Sequence, residues 1–170
     1  MIKVAESAVT FSEFPDELAI CLSISNCPCK CKGCSEKHLQ SDIGVELTEE
    51  LIQDFIDKNK DCTLFGILGG DIDHEDVKRV AKYVKDHSKM KVGFYSGLDY
   101  IDISLLHFID CYKIGKWIQP DKDNYKEVSC GPLSWPNTNQ RYFVKDGDKL
   151  IDMTYKFRKK LNNWFNNIKG

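Results

Sequence analysis

Four cysteines fall within a segment of eight residues, and this segment constrains the chain more than any other feature. They are Cys27, Cys29, Cys31 and Cys34, half of the eight cysteines in the sequence. Cysteines this close together cannot cross-link distant parts of a fold. A short loop can instead wrap its thiolates around one metal centre. The segment therefore predicts a metal or cluster site.

The rest of the composition argues against a secreted, disulfide-bonded scaffold. Eight cysteines in 170 residues lie below the roughly 8–10% that is typical of such scaffolds. The first 17 residues carry acidic side chains and lack the apolar region of a signal peptide. We therefore expect a cytoplasmic protein without structural disulfides.

Charge and hydropathy exclude two further classes of protein. The 24 Lys and Arg against 26 Asp and Glu give a net charge of −2, which provides no basic surface for nucleic acid. No apolar run approaches the roughly 18 residues that a membrane-spanning helix needs. We expect a single domain over residues 1–170 that binds neither nucleic acid nor a membrane.

Apolar runs alternate with amphipathic stretches along the chain. Strands are predicted at 18–24, 63–68, 91–95, 111–117 and 141–144. Helices are predicted after Thr48, after Asp73, at 103–108 and at 154–167. This alternation favours an α/β fold with a mainly parallel sheet and helices outside it. Residues 1–17 are expected to form an N-terminal arm and residues 148–170 a C-terminal helical tail.

Three unusual segments directly follow predicted strands. The cysteine segment follows the first strand, Gly69-Gly70 the second and Ser96-Gly97 the third. Because ligands bind at the carboxyl ends of parallel strands, we expect these segments to form one site. Taken alone, the two glycine-containing segments are also compatible with plain turns, and Asp71 with a helix N-cap.

The cysteine spacing allows two kinds of site. Cys27, Cys31 and Cys34 form a C-x3-C-x2-C pattern that leaves Cys29 out, whereas a four-ligand set would use all of them. Structural zinc usually takes four ligands as two separated pairs, and the sequence has no second C-x2-C pair. Three thiolates on a [4Fe-4S] cluster leave one iron open to a substrate. The sequence favours the cluster, and a structural zinc loop remains the alternative.

The three-cysteine pattern after the first predicted strand resembles the radical S-adenosylmethionine (SAM) superfamily. The triplet Gly69-Gly70-Asp71 is similar to the GGE/GGD element with which that superfamily binds the amino group of SAM. The resemblance implies a [4Fe-4S] cluster on Cys27, Cys31 and Cys34, and SAM at Gly69, Gly70, Asp71, Ser96 and Gly97. It also implies a (βα) barrel, here a partial one because a complete barrel needs roughly 200 residues or more.

Up to about Gly147, the chain further resembles the activating protein of anaerobic (class III) ribonucleotide reductase. The segments that carry this resemblance are Cys31-Lys32-Gly33-Cys34, Gly69-Gly70-Asp71, Tyr95-Ser96-Gly97, Gly115-Lys116-Trp117 and Asn137-Thr138-Asn139-Gln140-Arg141. The chain departs from the family at Ser35-Glu36, Leu68 and Ile72, where the family has Tyr-Asn, Ser and Pro.

This second resemblance implies a function. An electron from the cluster would cleave SAM, and the 5′-deoxyadenosyl radical would remove a hydrogen from a glycine Cα of the reductase. The implied partners are the large subunit of anaerobic ribonucleotide reductase and an electron donor such as a flavodoxin. Three alternatives stay open: an activase for another glycyl-radical enzyme, another small radical SAM enzyme, and a non-enzymatic zinc-binding module.

The sequence predicts no ligand role for the other cysteines. Cys29 is predicted to be a bystander thiol, because the open iron must face SAM. Cys21, Cys62 and Cys111 lie in or beside predicted strands and are expected to be small core residues. Cys130 lies in a predicted loop, and the sequence assigns it no role.

Overall fold

The computed structural model describes residues 1–119, 131–135 and 137–157. Within them, eight strands form one sheet in the order β3-β1-β2-β4-β5-β6-β7-β8. The strands are β1 Lys3–Thr10, β2 Ala19–Ile24, β3 Val45–Glu46, β4 Leu64–Leu68, β5 Lys91–Tyr95, β6 Cys111–Ile114, β7 Arg141–Asp146 and β8 Lys149–Asp152. The described part also holds the helices α1 Glu49–Lys58 and α2 His74–His87, and 3-10 turns at Lys37–Gln40 and Ile103–Leu105.

The sheet is parallel in its centre and antiparallel on both sides. Strands β2, β4, β5 and β6 run parallel to one another, whereas β1 and β3 on one side and β7 and β8 on the other pair antiparallel. The α/β class is confirmed, but the expectation of a mainly parallel sheet is wrong. Parallel neighbours need a long crossover, and the tight β7–β8 connection permits only antiparallel pairing.

The helices pack on one face of the sheet. The stripe Val77, Val80, Ala81 and Val84 of α2 is fully buried with Ile52 of α1, in one apolar core with residues of the four parallel strands. Both helices begin where the sequence predicts. The Thr48 hydroxyl accepts a hydrogen bond from the amide of Leu51, and the Asp73 carboxylate accepts one from the amide of Asp76.

A single aromatic ring covers the centre of the opposite face. Phe14 belongs to the segment that connects β1 to β2, and it is fully buried. Its ring lies against Gly66 of β4 and Gly93 of β5. A Cβ added to either glycine would come within 2.6 Å or 2.2 Å of ring carbons. Tyr95 and Tyr142 pack around the same ring.

The two ends of the chain differ from the sequence expectation. The expected N-terminal arm contains strand β1, whose Val4 is buried and whose Lys3 and Val4 also pair with β3. The expected helical tail instead opens with strand β8. A helical turn occupies 155–157, and the remainder of the predicted helix lies outside the described residues, as does Cys130.

Other predicted elements are shorter in the structure. The predicted helix at 103–108 is the 3-10 turn Ile103–Leu105, and the strand predicted at 111–117 ends at Ile114. Among the described residues, no helix combines the length and the apolar character needed to cross a membrane.

Candidate metal centre

The cysteine segment lies in a loop that begins at the carboxyl end of β2 and is closed at its base by two backbone hydrogen bonds. The amide of Asn26 donates to the carbonyl of Ser41 at 3.0 Å, and the amide of Cys27 donates to that of Leu39 at 2.9 Å. Three residues from the start of this loop up to Cys34 have positive φ angles: Asn26 with 59°, Lys30 with 45° and Gly33 with 73°. Left-handed backbone at these positions keeps the loop compact.

Gly33 lies between the last two cysteines of the pattern, where a side chain has no room. Its φ is positive, and an added Cβ would lie 2.3 Å from Oε1 of Gln119. Glycine therefore permits both the backbone conformation and the close approach of the segment that follows β6.

The four thiols of the segment are free and partly exposed. A single zinc ion binds thiolates at about 2.3 Å, which would place its sulfur ligands less than about 4 Å apart. Among the described residues, no three cysteine sulfurs lie within 4.8 Å of one another. A [4Fe-4S] cluster binds each thiolate through a different iron and so accepts a wider arrangement. The sulfurs as they lie are therefore not arranged around one zinc ion, and their position in one short loop is compatible with a cluster.

Cys29 has a partner outside the cysteine segment. Its thiol donates to Oδ2 of Asp71 at 3.6 Å, and its sulfur lies where a Cβ on Gly97 would be only 2.5 Å away. Burial, together with the negative charge of Asp71, raises the pKa of the Cys29 thiol to about 12. Cys29 therefore joins the cysteine loop to two of the segments that the sequence assigned to the same site.

Asp71 links the segments that follow β4 and β5. Its carboxylate is only 3% exposed and accepts hydrogen bonds from the Ser96 hydroxyl at 2.6 Å and the Gly97 amide at 2.7 Å. The expected convergence of Asp71, Ser96 and Gly97 is thus present in the structure. Asp73 rather than Asp71 is the N-cap of α2.

Gly69 and Gly70 make the turn that delivers Asp71. Their φ angles are 97° and 110°, and a Cβ on Gly70 would approach Cγ2 of Val77 to 2.7 Å. The Gly69 amide donates to the carbonyl of Tyr95 at 2.9 Å, so the turn stays attached to the end of β5. The two glycines therefore permit the backbone conformation of the turn, and the absence of a side chain on Gly70 lets helix α2 approach at Val77.

A histidine that no sequence pattern marked extends the Asp71 network towards the surface. The Nε2 of His74 lies 3.4 Å from Asp71 Oδ1, and its Nδ1 lies 2.8 Å from Oδ2 of Asp102. The hydrogen bond with His74 helps to lower the pKa of Asp102 to about 2. The imidazole thus bridges a buried carboxylate and a partly exposed one.

A cavity of about 570 Å³ opens beside the cysteine loop. Its lining residues come from the loop and from the segments after β5, after β6 and before β7: Pro28, Cys29, Gly97, Leu98, Asp99, Gly115, Lys116, Ile118 and Asn139. Cavities of 300–1,000 Å³ suit small molecules the size of a nucleoside cofactor.

The wall of this cavity nearest β7 is held by side-chain amides. Asn139 donates to the carbonyl of Lys116 at 2.7 Å, and Gln140 donates to that of Gly115 at 3.0 Å. The Oδ1 of Asn139 is buried and has no hydrogen-bond partner within the described part of the chain. These two hydrogen bonds attach the segment before β7 to the segment after β6.

Lys113 is a further residue near the site that the sequence analysis missed. Its Nζ lies 4.9 Å from the centroid of the Tyr95 ring. Burial lowers the pKa of its ammonium, and Glu13, Cys31, Asp71 and Cys34 act in the opposite direction. The available signal was a lysine inside the apolar strand that starts at Cys111.

One exposed group of potential ligands lies away from the cavity. Glu6, Glu36 and His38 are, in the described residues, the one set of three such side chains with ligand atoms within 4.8 Å. His38 Nε2 lies 2.9 Å from Oε1 of Glu6. This contact attaches the segment after Cys34 to β1.

The comparisons with known proteins agree with the donor set. Residues 18–131 match the model of the 4Fe-4S single cluster domain. The match covers well over half of the chain and begins at β2, so it includes all four clustered cysteines and the turns after β4 and β5. Neither the comparison with curated proteins nor that with solved structures gives a match. The chain belongs to the family of 4Fe-4S single cluster domains.

Proposed function

We propose that this protein is a radical SAM enzyme that generates a glycyl radical on anaerobic ribonucleotide reductase. One observation carries the proposal: the cysteine loop, Gly69-Gly70-Asp71 and Ser96-Gly97 converge at one edge of the parallel strands. The cavity of about 570 Å³ lies at the same edge. These are the segments in which the sequence resembles radical SAM activases.

In this proposal Cys27, Cys31 and Cys34 hold the [4Fe-4S] cluster and Cys29 does not. The partner of Cys29 is Asp71, at 3.6 Å, on the side of the loop that faces the cavity. Three ligands leave one iron without a protein ligand. SAM would bind there through its amino and carboxylate groups.

The remainder of SAM would lie in the cavity. Gly97 and Gly115 provide backbone surface without side chains, Lys116 contributes a positive charge, and Asn139 forms part of the wall. Asp71 holds Ser96 and Gly97 in place, which fixes the wall against which the ligand would pack. The resemblance adds Gly69, Gly70, Asp71 and Ser96 to the proposed SAM contacts, and Gly97 is the member of this set that also lines the cavity.

The protein residues would bind and orient the reacting groups and exclude water from them. When bound, the cluster provides the electron that cleaves SAM to methionine and a 5′-deoxyadenosyl radical. A primary alkyl radical reacts with nearly any C–H bond that it reaches, so the target glycine must be held against the adenosyl group. The residues that line the cavity would hold that group and exclude water from it.

The same edge offers a surface for the radical acceptor. Ile72 follows the turn after β4, Tyr100 follows β5 and Ile118 follows β6, and they are 48%, 58% and 43% exposed. Each of these exposed apolar side chains follows a parallel strand at the edge that carries the site, so each is a candidate for contact with a protein acceptor. We propose the large subunit of anaerobic ribonucleotide reductase as the acceptor and a flavodoxin-type protein as the electron donor.

The chemistry is tested by anaerobic reconstitution with iron and sulfide. The visible spectrum is recorded with and without SAM, and 5′-deoxyadenosine is measured after addition of dithionite. We expect a brown protein that cleaves SAM, and a Cys31→Ala variant that does neither. A colourless protein that holds one zinc ion would refute the enzyme assignment.

The choice of acceptor needs a separate experiment. The reconstituted protein, SAM and a reductant are mixed with anaerobic ribonucleotide reductase or with another glycyl-radical enzyme, and the glycyl radical is detected by electron paramagnetic resonance. A radical on the reductase alone supports the proposal. A radical on the other enzyme alone would make this protein the activase of a different glycyl-radical enzyme.

A further inference from the structure

The side chain of His74 lies between two carboxylates at the edge of the sheet that carries the proposed site. Its Nδ1 lies 2.8 Å from Oδ2 of Asp102, and its Nε2 lies 3.4 Å from Oδ1 of Asp71. The imidazole also meets the Phe94 ring of β5 edge-on, with 5.8 Å between the centroids. Because only 17% of the side chain is exposed, these contacts fix the orientation of the imidazole.

Asp102 is itself held in place by the 3-10 turn that follows it. Its Oδ1 accepts a hydrogen bond from the amide of Ser104 at 2.9 Å, while its Oδ2 faces His74. An ionised carboxylate only accepts hydrogen bonds, so an imidazole between two of them donates through both nitrogens and is then protonated. Hydrogen bonds between charged groups are stronger than those between neutral groups.

Asp71 uses both carboxylate oxygens to hold neighbouring segments. Its Oδ2 accepts from the Gly97 amide at 2.7 Å and from the Cys29 thiol at 3.6 Å. Its Oδ1, the oxygen that faces His74, accepts from the Ser96 hydroxyl at 2.6 Å. Because the carboxylate is only 3% exposed, the protein donors around it, rather than water, determine its orientation.

This carboxylate holds part of the cavity wall. Cys29 and Gly97 line the cavity of about 570 Å³, as does Leu98, whose amide donates to Oγ of Ser96 at 3.0 Å. His74 is not among the lining residues in the described part of the chain. We therefore expect His74 to act on a bound ligand through this carboxylate rather than by contact.

We propose that His74 is a positioning residue: it holds Asp71 in the orientation that orders the cavity wall. This role rests on the proposed function, because SAM is the ligand assigned to the cavity. Loss of the Nε2 donor would free the Asp71 carboxylate to rotate and leave the wall less ordered. SAM would then bind more weakly, whereas the step that cleaves it would change little.

Two amide variants separate the two nitrogens of the imidazole. In His74→Gln the amide nitrogen replaces Nε2 and can still donate to Asp71, whereas in His74→Asn it replaces Nδ1 and reaches only Asp102. Equilibrium binding of SAM to the anaerobically reconstituted protein is measured without a reductant. We expect His74→Asn to weaken binding about tenfold, as loss of a hydrogen bond to a charged, orienting group does. His74→Gln should retain most of the wild-type affinity.

Kinetics and a double variant distinguish positioning from a structural role. With dithionite present, the KM for SAM in 5′-deoxyadenosine formation should rise in His74→Asn while kcat changes little, because binding that is lost equally from substrate and transition state leaves kcat unchanged. When Asp71→Asn is already present, His74→Asn should weaken binding no further, because the two residues act as one unit.

Controls ensure that only intact proteins are compared. The iron content and melting temperature of each variant are measured beside those of the wild type. His74→Leu, which lacks both nitrogens, is a second test and should bind SAM as weakly as His74→Asn. His87→Asn is the matched control, because His87 lies at the other end of α2 and its Nδ1 contacts the carbonyl of Tyr83; its affinity for SAM should not change.

The outcomes separate this role from the function on which it rests. Wild-type affinity in intact His74→Asn and His74→Leu proteins would refute the role of His74 alone. Equal weakening in His74→Gln and His74→Asn would show that the donor to Asp71 is not what matters. A wild-type protein that assembles its cluster but does not bind SAM would refute the proposed function, and the role of His74 with it.

Discussion

Cys29 lies between cysteines assigned to the cluster, yet its thiol bonds to Asp71. We expect Cys29→Ala to retain the iron and sulfide content of the wild type, because the three remaining cysteines supply the ligands. Cys31→Ala should lose most of both, because one cluster corner then has no thiolate. Iron and sulfide analysis after anaerobic reconstitution measures the difference.

Cys27→Ala and Cys34→Ala are matched controls for this comparison. If Cys29→Ala lost the cluster as fully as these variants, all four cysteines would be ligands. The cluster would then have no open iron, and the proposed binding of SAM would be wrong.

Position 97 accepts only glycine without strain, because the Cys29 side chain packs directly against it. An alanine Cβ at this position would lie 2.5 Å from Sγ and 3.2 Å from Cβ of Cys29. We expect Gly97→Ala to destabilise the protein by about 1–3 kcal/mol, as overpacking does, and to weaken SAM binding. Chemical denaturation and equilibrium binding of SAM measure the two effects.

The same contact offers a rescue experiment. Adding Cys29→Ala to Gly97→Ala removes the sulfur and leaves the longer contacts with the Cβ of residue 29 at 3.2 Å and with Oδ2 of Asp71 at 3.5 Å, so part of the lost stability should return. A double variant no more stable than Gly97→Ala would show that another contact causes the loss.

At this scale, the sequence predicted that the three segments would meet but not which side chains would contact one another. The C-x3-C-x2-C pattern lies within one loop, so the sequence alone indicates a set of three ligands, which stays a prediction. The hydrogen bonds of Asp71 to Cys29 and Gly97 join segments far apart along the chain. The contact between Lys113 and Tyr95 was missed because it joins residues of two different strands, β5 and β6.

At the scale of elements, helix α2 starts directly after the turn that delivers Asp71. Asp73 caps it by accepting from the Asp76 amide at 3.0 Å. We expect Asp73→Ala to lower the free energy of unfolding by about 1 kcal/mol, whereas Asp73→Asn should keep most of the stability because asparagine also caps helices. Anaerobic urea denaturation of the three proteins tests this, and equal losses in both variants would show that the charge, not the cap, is what matters.

The elements that the sequence predicted well are the buried parallel strands and the two amphipathic helices. Strand β5 has the predicted bounds, and β2 and β4 differ by one residue at one end. Strand β1 was missed because most of its residues are partly or fully exposed, so it lacks an apolar run. Strand β8 was missed for the same reason, since none of its four residues is fully buried.

At the scale of the whole molecule, Phe14 connects the N-terminal segment to the centre of the sheet. It is 0% exposed and packs on Gly66 and Gly93. We expect Phe14→Ala to cost about 3–5 kcal/mol, because neither glycine has a side chain that could fill the cavity. Tyr100→Ala is the control, because Tyr100 is 58% exposed and its loss should cost little.

Thermal or chemical unfolding of the anaerobic proteins measures both variants. A Phe14→Ala protein as stable as Tyr100→Ala would show that the sheet does not depend on this ring. The sequence could not predict this packing, because small residues in a strand do not reveal which distant ring they accommodate.

The α/β class followed from the alternation of elements, but the direction of the outer strands did not. Whether an edge strand runs parallel or antiparallel depends on the connection that precedes it, and β1 and β8 were not recognised as strands at all. The partial barrel implied by the resemblance stays a prediction, whereas the mixed sheet with an antiparallel strand pair on each side is the observed architecture.

The wall that Asn139 and Gln140 contribute to the cavity has a consequence for synthesis. These residues contact the carbonyls of Lys116 and Gly115, yet they leave the ribosome long after the cysteine loop. The nascent chain therefore presents its four thiols before the cavity beside them can close. A cluster inserted before β7 has been synthesised would lie in an open loop that oxygen can reach. We therefore expect cluster insertion to be completed only after β7 has been translated.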